Sequence, residues 1–286
     1  MDDEDISSKK PAIFLGVDIA GQQHTCVAGL SSTEGGYKLV FRPKIMTLEE
    51  IRDYCLKNNV LGVAIDAQLT ADLKENNGFR FGDGWLQDHL PNECSHWVVS
   101  ANWLSAVPTR GRLLADHLAP LVGTIIETHP RVSLLFALGR GSLRDILKCK
   151  PPSAAARPIV RRLWRLWTNC YRIQGKTDCD SDDALDALVC ASVVALLHAR
   201  PSCLCRVPSE AEHPVGRGPF YVVRPNKEYL LPLPRSVDVR QHAVTTYIDL
   251  ARRRGDKAAQ IRAAMCIRPL GSISGQLSCA GAGIDP

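Results

Sequence analysis

The chain opens with a polar stretch, residues 1–10, followed by a short apolar run, Ala12–Ala20 (Ala-Ile-Phe-Leu-Gly-Val-Asp-Ile-Ala), that ends at Gly21. A brief apolar run closed by Gly predicts a buried strand, and the polar tail before it predicts disorder. His24–Leu30 and Tyr37–Arg42 predict two more strands, joined by turns at Gln22-Gln23 and Ser31–Gly36. Strands linked by such short turns form an antiparallel meander. Thr47, with Glu50 three residues on, is a capping-box signature and opens a helix over Thr47–Asn58. The next apolar run, Leu61–Ala67, is a buried strand. A helical crossover makes it parallel to a strand of the meander.

From Gln68 to about Val107 the pattern weakens into short elements rich in Gly, Asn and Trp. That is long for a loop and predicts an insertion over the site, or part of it. Thr109–Leu118 is helical and Pro120 stops it. Val122–Thr128 is a further buried strand, and Pro130 suits the first turn of a helix through Leu138. Pro158–Tyr171 has helical periodicity. Ser181–His198 is the clearest helix, with Ser181 as N-cap and a packing surface of small residues. After Pro201 the prolines multiply, and Pro219–Val223 reads as an edge strand. Val237–Arg254 and Asp256–Cys266 are basic amphipathic helices, and Gly271–Pro286 is a Gly/Ser/Ala-rich tail expected to be disordered. The expected organisation is a tail at 1–10, an α/β domain at 11–200, a Pro-rich and basic helical extension at 201–270, and a tail at 271–286.

Charge is uneven. Residues 1–199 carry 22 Lys and Arg against 23 Asp and Glu, whereas residues 200–286 carry 13 against 7, so the basic excess lies in the last third. The 11 cysteines have no Cys-x-x-Cys spacing, and Cys203 and Cys205 stand too close for a zinc knuckle. Reduced thiols and a cytoplasmic setting are expected. The acidic N-terminus is not a signal peptide, and no run of about 18 apolar residues is present to span a membrane.

The chemistry lies in carboxylates placed where carboxylates are costly. Asp18, Asp66 and Glu127 each sit late in a predicted buried strand, and a helix carries Asp182-Asp183-x-x-Asp186. Parallel strands bring their ends to one sheet edge, where open α/β sheets place their sites. Asp183 and Asp186 share a helix face that continues through the small residues Ala187 and Cys190, so that face points at the sheet. Converging carboxylates without a cation cost several kcal/mol. A hard divalent metal removes that cost, and carboxylate oxygens suit Mg²⁺ or Mn²⁺. Asp182 and Asp183 also satisfy a helix dipole without any site, and Glu127 can cap the helix at Pro130. His129 is either a catalytic or phosphate-contacting group or a packed histidine beside a proline.

Four motifs in order, Gly-Val-Asp-Ile-Ala (16–20), Ala-Ile-Asp-Ala (64–67), Ile-Glu-Thr-His-Pro (126–130) and Asp-Asp-Ala-Leu-Asp-Ala-Leu (182–188), resemble the DUF429 family of predicted ribonuclease H-like nucleases. The last also resembles the helix of RuvC-type junction resolvases. The resemblance spans about residues 12–198. It implies a ribonuclease H-like mixed sheet of five strands, three antiparallel then two parallel, flanked by helices. It implies that Asp18 bridges two metal ions, that Asp66 holds one, and that Asp183 and Asp186 complete the set. Glu127 matches the family's Glu-x-x-Pro and would ligate or orient water. The catalytic set is then Asp18, Asp66, Glu127 and Asp186, and the reaction is two-metal hydrolysis of a nucleic-acid phosphodiester. Gln68 stands where the family has Pro or a small turn, which puts the mouth of the site in question.

Residues 139–180 are strongly basic, and Arg157, Arg161, Arg162 and Arg165 with Trp164 offer phosphate contacts and a stacking platform for DNA or RNA. A buried Trp flanked by outward Arg explains the same pattern. Two rival readings are a non-catalytic nucleic-acid-binding or adaptor protein that retains the fold, and an actin-like sugar kinase or ATPase. The second lacks its further Asp-x-Gly hairpin and Gly-Gly loop.

Overall fold

This computed structural model of the chain describes residues 11–21, 24–72, 77–104, 106–149, 155–175, 179–209 and 215–226. Contacts divide the chain into two units, Met1–Arg235 and Ser236–Pro286, and every described residue belongs to the first. The expected tails at 1–10 and 271–286 and the two expected basic helices lie outside the described residues.

In chain order the elements are β1 (Ile13–Asp18), β2 (Cys26–Thr33), β3 (Gly36–Ile45), α1 (Leu48–Lys57), β4 (Val60–Asp66), β5 (Thr70–Ala71), α2 (Phe81–His89), α3 (Ala101–Leu104), α4 (Ala106–Leu118), β6 (Thr124–Glu127), α5 (Pro130–Leu138), α6 (Leu143–Lys148), α7 (Arg157–Tyr171), β7 (Ile173–Gln174), α8 (Asp182–Ala199), β8 (Leu204–Arg206), β9 (Val215–Gly216) and β10 (Tyr221–Val223). The central sheet runs β6-β4-β1-β2-β3-β7. The β1–β2 and β2–β3 pairs are antiparallel, and β1–β4, β4–β6 and β3–β7 are parallel. The sheet therefore has six strands rather than the expected five. The sixth, β7, is two residues long, too short for any alternation of polarity to declare it.

The caps behave as their chemistry requires. The Thr47 hydroxyl accepts from the Glu50 amide at 3.2 Å, while the Glu50 carboxylate accepts from the Thr47 amide at 2.7 Å. Ser181 accepts from the Ala184 amide at 3.1 Å, a cap of about 1 kcal/mol.

Strand alternation divides the core in two. Phe14, Ala28, Leu30, Ala64 and Ile126 face α5, α7 and α8, whereas Leu15, Val17, Val27, Val63 and Ile65 face α1 and α4. The approach of α8 is unusually close. A Cβ on Gly16 would lie 2.0 Å from the Ala187 carbonyl oxygen and 2.1 Å from the Ala191 nitrogen, so only glycine lets this helix rest directly on β1. Gly62 of β4 does the same beneath Val194, 2.5 Å from a notional Cβ.

The chain after α8 returns to the same unit. β8 and β10 pair antiparallel, and Leu204, Val207, Val222 and Val223 are buried in the α5–α8 core. The edge strand expected at Pro219–Val223 is thus β10. Just before it, the Pro219 carbonyl accepts from the Glu127 amide at 3.0 Å, and Phe220 forms a parallel bridge with Glu127 along the outer side of β6.

Candidate functional site

Asp18 and Asp66 end adjacent parallel strands and are level in register. Gly16 and Asp18 share a strand face, as do Gly62 and Asp66, and both pairs lie on the side covered by α8. Because Ala187 rests on Gly16, Asp186 and, one turn earlier, Asp183 are brought over the strand ends. Burial first, then Asp186, Asp66 and Asp183 in that order, push the Asp18 carboxyl well above its ordinary value of 3.8, with Arg131 opposing. The structure thus brings together four of the expected residues: Asp18, Asp66, Asp183 and Asp186.

Arg131, in the first turn of α5, was not anticipated. Its Nη2 lies 3.5 Å from Asp182 Oδ2 and its Nε 3.7 Å from Asp186 Oδ2, with the side chain 11% exposed. Asp186, Asp182 and Asp66 all favour its charge. A sequence signal existed, since Arg131 is the one charged residue in Pro130–Leu138, a segment that is apolar apart from it and Ser133.

Glu127 is placed elsewhere. Ile65, not Asp66, is its register partner, so by alternation it belongs to the opposite face from the aspartates. Its Oε1 accepts from Arg80 Nη2 at 2.6 Å, and its Oε2 accepts from Arg80 Nη1 at 2.7 Å and from the Leu69 amide at 2.8 Å. Arg80 also donates to Asp83 at 2.7 and 3.1 Å. Both of its carboxylate partners are almost fully buried. Glu127 therefore braces the segment just beyond Asp66 and does not join the aspartates as expected. Gln68 belongs to the same network, donating to Asp83 at 3.0 Å and to the Val99 carbonyl at 3.2 Å. Arg80 lay in the stretch of weak pattern, where no periodicity marked it.

Four thiols stand near the aspartates. Cys26 is the register partner of Asp18, and Cys149, Cys179 and Cys190 feel Asp186. Burial pushes Cys26 up to about 12 and Cys149 to about 11, and Cys179 and Cys190 also rise. With no cation beside them they remain protonated near neutral pH. All nine described cysteines are free. The donor set suits a hard divalent cation in type and charge. As they stand, no three His, Cys, Asp or Glu side chains among the described residues are grouped to hold an ion.

The expected nucleic-acid surface on α7 is half corrected. Val160, Leu163, Trp164, Trp167 and Tyr171 form its buried stripe, and Trp167 donates to the Ser192 hydroxyl at 3.0 Å. Trp164 is 6% exposed and provides no stacking platform, because it is spent in the core. Arg157, Arg161, Arg162 and Arg165 are exposed on the other face. Arg161 pairs with Asp180 at 2.6 Å, and Arg162 pairs with Asp145.

Residues 98–213 match a family model described as Protein of unknown function (DUF429). The match to DUF429 covers less than half of the chain. The matched DUF429 segment includes Glu127, Arg131 and the Asp182–Asp186 cluster, while Asp18 and Asp66 precede it. No curated protein and no solved structure matches the chain. Among the described residues no helix is long and apolar enough to cross a membrane.

Proposed function

We propose that this protein is a divalent-metal-dependent nuclease that hydrolyses phosphodiester bonds of DNA or RNA in a ribonuclease H-like fold, acting in the cytoplasm. One observation carries the reading: Asp18 and Asp66 lie level on adjacent parallel strands, beneath a helix that a glycine contact seats directly over them with Asp183 and Asp186. That arrangement costs stability through like-charge repulsion, and catalysis is a reason to retain it.

Asp18, Asp66 and Asp186, with Asp183, would hold Mg²⁺ or Mn²⁺. Such an ion, when bound, supplies a nucleophilic water and stabilises the leaving oxygen. The protein's own part is to aim four hard oxygen donors at one sheet edge and to exclude solvent beneath α8. Glu127, through Arg80 and the Leu69 amide, fixes the turn that follows Asp66. The exposed arginines of α7 would contact phosphates without reading sequence.

The test is Mn²⁺ binding by calorimetry, with and without an oligonucleotide, followed by a cleavage screen on single-stranded, duplex and junction substrates. Binding and cleavage lost together in Asp18→Asn support the reading. Absence of both in the wild type removes it. A second reading is favoured by Arg131 already pairing with Asp182 and Asp186 in a set that is not gathered around an ion. On that reading the chain is a non-catalytic nucleic-acid-binding protein, and oligonucleotide binding would be unaffected by metal or by Asp18→Asn.

A further inference from the structure

Resting on the metal-dependent reading above, we infer that Arg131 takes the place of one of the two expected divalent ions, so that the centre holds a single ion.

The geometry is that of a cation among ligands rather than a clamp on one partner. Charge-assisted bonds close to about 2.7–2.9 Å. Arg131 stands 3.5 Å from Asp182 and 3.7 Å from Asp186, and it also feels Asp66 from β4. It therefore stands between two carboxylates of α8, with the charge of Asp66 on β4 also felt. It is nearly buried in the first turn of α5, below which Val132, Leu134, Leu135 and Phe136 are fully buried. A guanidinium so enclosed keeps its charge under all ordinary conditions. Its charge is paired at Asp182 and Asp186 and reaches Asp18 and Asp66 as well, so part of the negative charge of the set is already met. A second divalent ion at the Arg131 end would meet a like charge that has no route to lose its proton. The second ion that the family resemblance implies is thus replaced by a cation that the sequence pattern does not place.

The experiment is a Mn²⁺ titration of the full chain, followed by calorimetry and by electron paramagnetic resonance of the free ion. Wild type, Arg131→Lys, Arg131→Gln and Asp18→Asn are compared, with circular dichroism reporting the fold of each. The expected result is one ion per chain in wild type and in Arg131→Lys. Arg131→Gln should take up a second ion, or bind the first at least tenfold more tightly. Two ions in wild type overturn the inference without recourse to any variant. An unchanged count and affinity in a folded Arg131→Gln also overturn it. Should Arg131→Gln fail to fold, the count in wild type and Arg131→Lys decides. If no ion binds to wild type or to any folded variant, with or without oligonucleotide, the metal reading itself falls and this inference with it. One ion in wild type that is lost in Asp18→Asn, with Arg131→Gln unchanged, removes this inference alone.

Discussion

Replacing Glu127 by Gln separates a brace from a ligand. The amide keeps the shape of the carboxylate but has a single acceptor oxygen. That oxygen is best placed at the Oε2 position, where it accepts from the Leu69 amide and from Arg80 Nη1. The NH₂ then faces Arg80 Nη2 across a 2.6 Å contact, donor against donor. The Arg80 guanidinium, enclosed with a side chain only 6% exposed, is left with Asp83 as its one carboxylate partner. Breaking a buried pair from one side costs 3–5 kcal/mol, and because Asp83 remains the lower end applies, about 3 kcal/mol. For a unit of this size that lowers the melting temperature by roughly 6–12 °C. Urea denaturation at neutral pH in EDTA measures it directly, with the slope checked against wild type. Mn²⁺ affinity should fall only modestly. A stability equal to wild type, coupled with complete loss of ion binding, would refute the brace and return Glu127 to the ligand set.

Gly16→Ala should destabilise by about 3 kcal/mol or more, since the added carbon would sit 2.0 Å from the Ala187 carbonyl and α8 must lift from β1; equal denaturation midpoints would contradict the packing described. In metal-free buffer, Asp18 contributes stability that is full below pH 3.8 and is lost as the pH rises through its elevated folded value. Asp18→Asn should therefore be more stable than wild type at pH 7 in EDTA, and a less stable variant would negate the like-charge account. Trp167→Phe removes the donor to Ser192 and should cost roughly 1 kcal/mol in hydrogen bonding plus the packing lost by the smaller ring, read from thermal melts. Arg157→Glu with Arg165→Glu on the exposed side of α7 should weaken oligonucleotide binding at low salt at least tenfold with the melting temperature unchanged, and undiminished binding would move the nucleic-acid surface elsewhere.

What could be read in advance follows from what each residue advertises locally. β1, β4 and β6 are apolar runs with one carboxylate near the end, and α8 has a Ser cap with small residues on every packing row, so their existence and order were legible. The face of Glu127 was not. One step of register decides whether a strand carboxylate meets the aspartates or the opposite layer, and register is a property of the neighbour, Ile65. Trp164 was legible and misassigned. Its spacing with Val160, Leu163, Trp167 and Tyr171 already marked a buried stripe, whereas the basic residues around it suggested a binding surface. Arg80 pairs locally with Asp83, but its link to Glu127, 47 positions on, and the links of Arg131 to Asp182 and Asp186, 51 and 55 positions on, are encoded by no local pattern.

The contact between the Pro219–Phe220 segment and the outer side of β6 has a consequence for solubility. An unpaired strand at the end of a sheet is a template for another chain, and proteins guard such strands with short or interrupted neighbours. Here Glu127 already donates to Pro219, and proline itself has no amide hydrogen to offer onward. At the far end of the sheet, β7 provides the same protection with only two residues. A polypeptide ended at residue 200, the boundary that composition suggests, would leave β6 open and strip Val222 and Val223 from α5. Such a fragment would self-associate, whereas one carried through Asn226 retains its own guard.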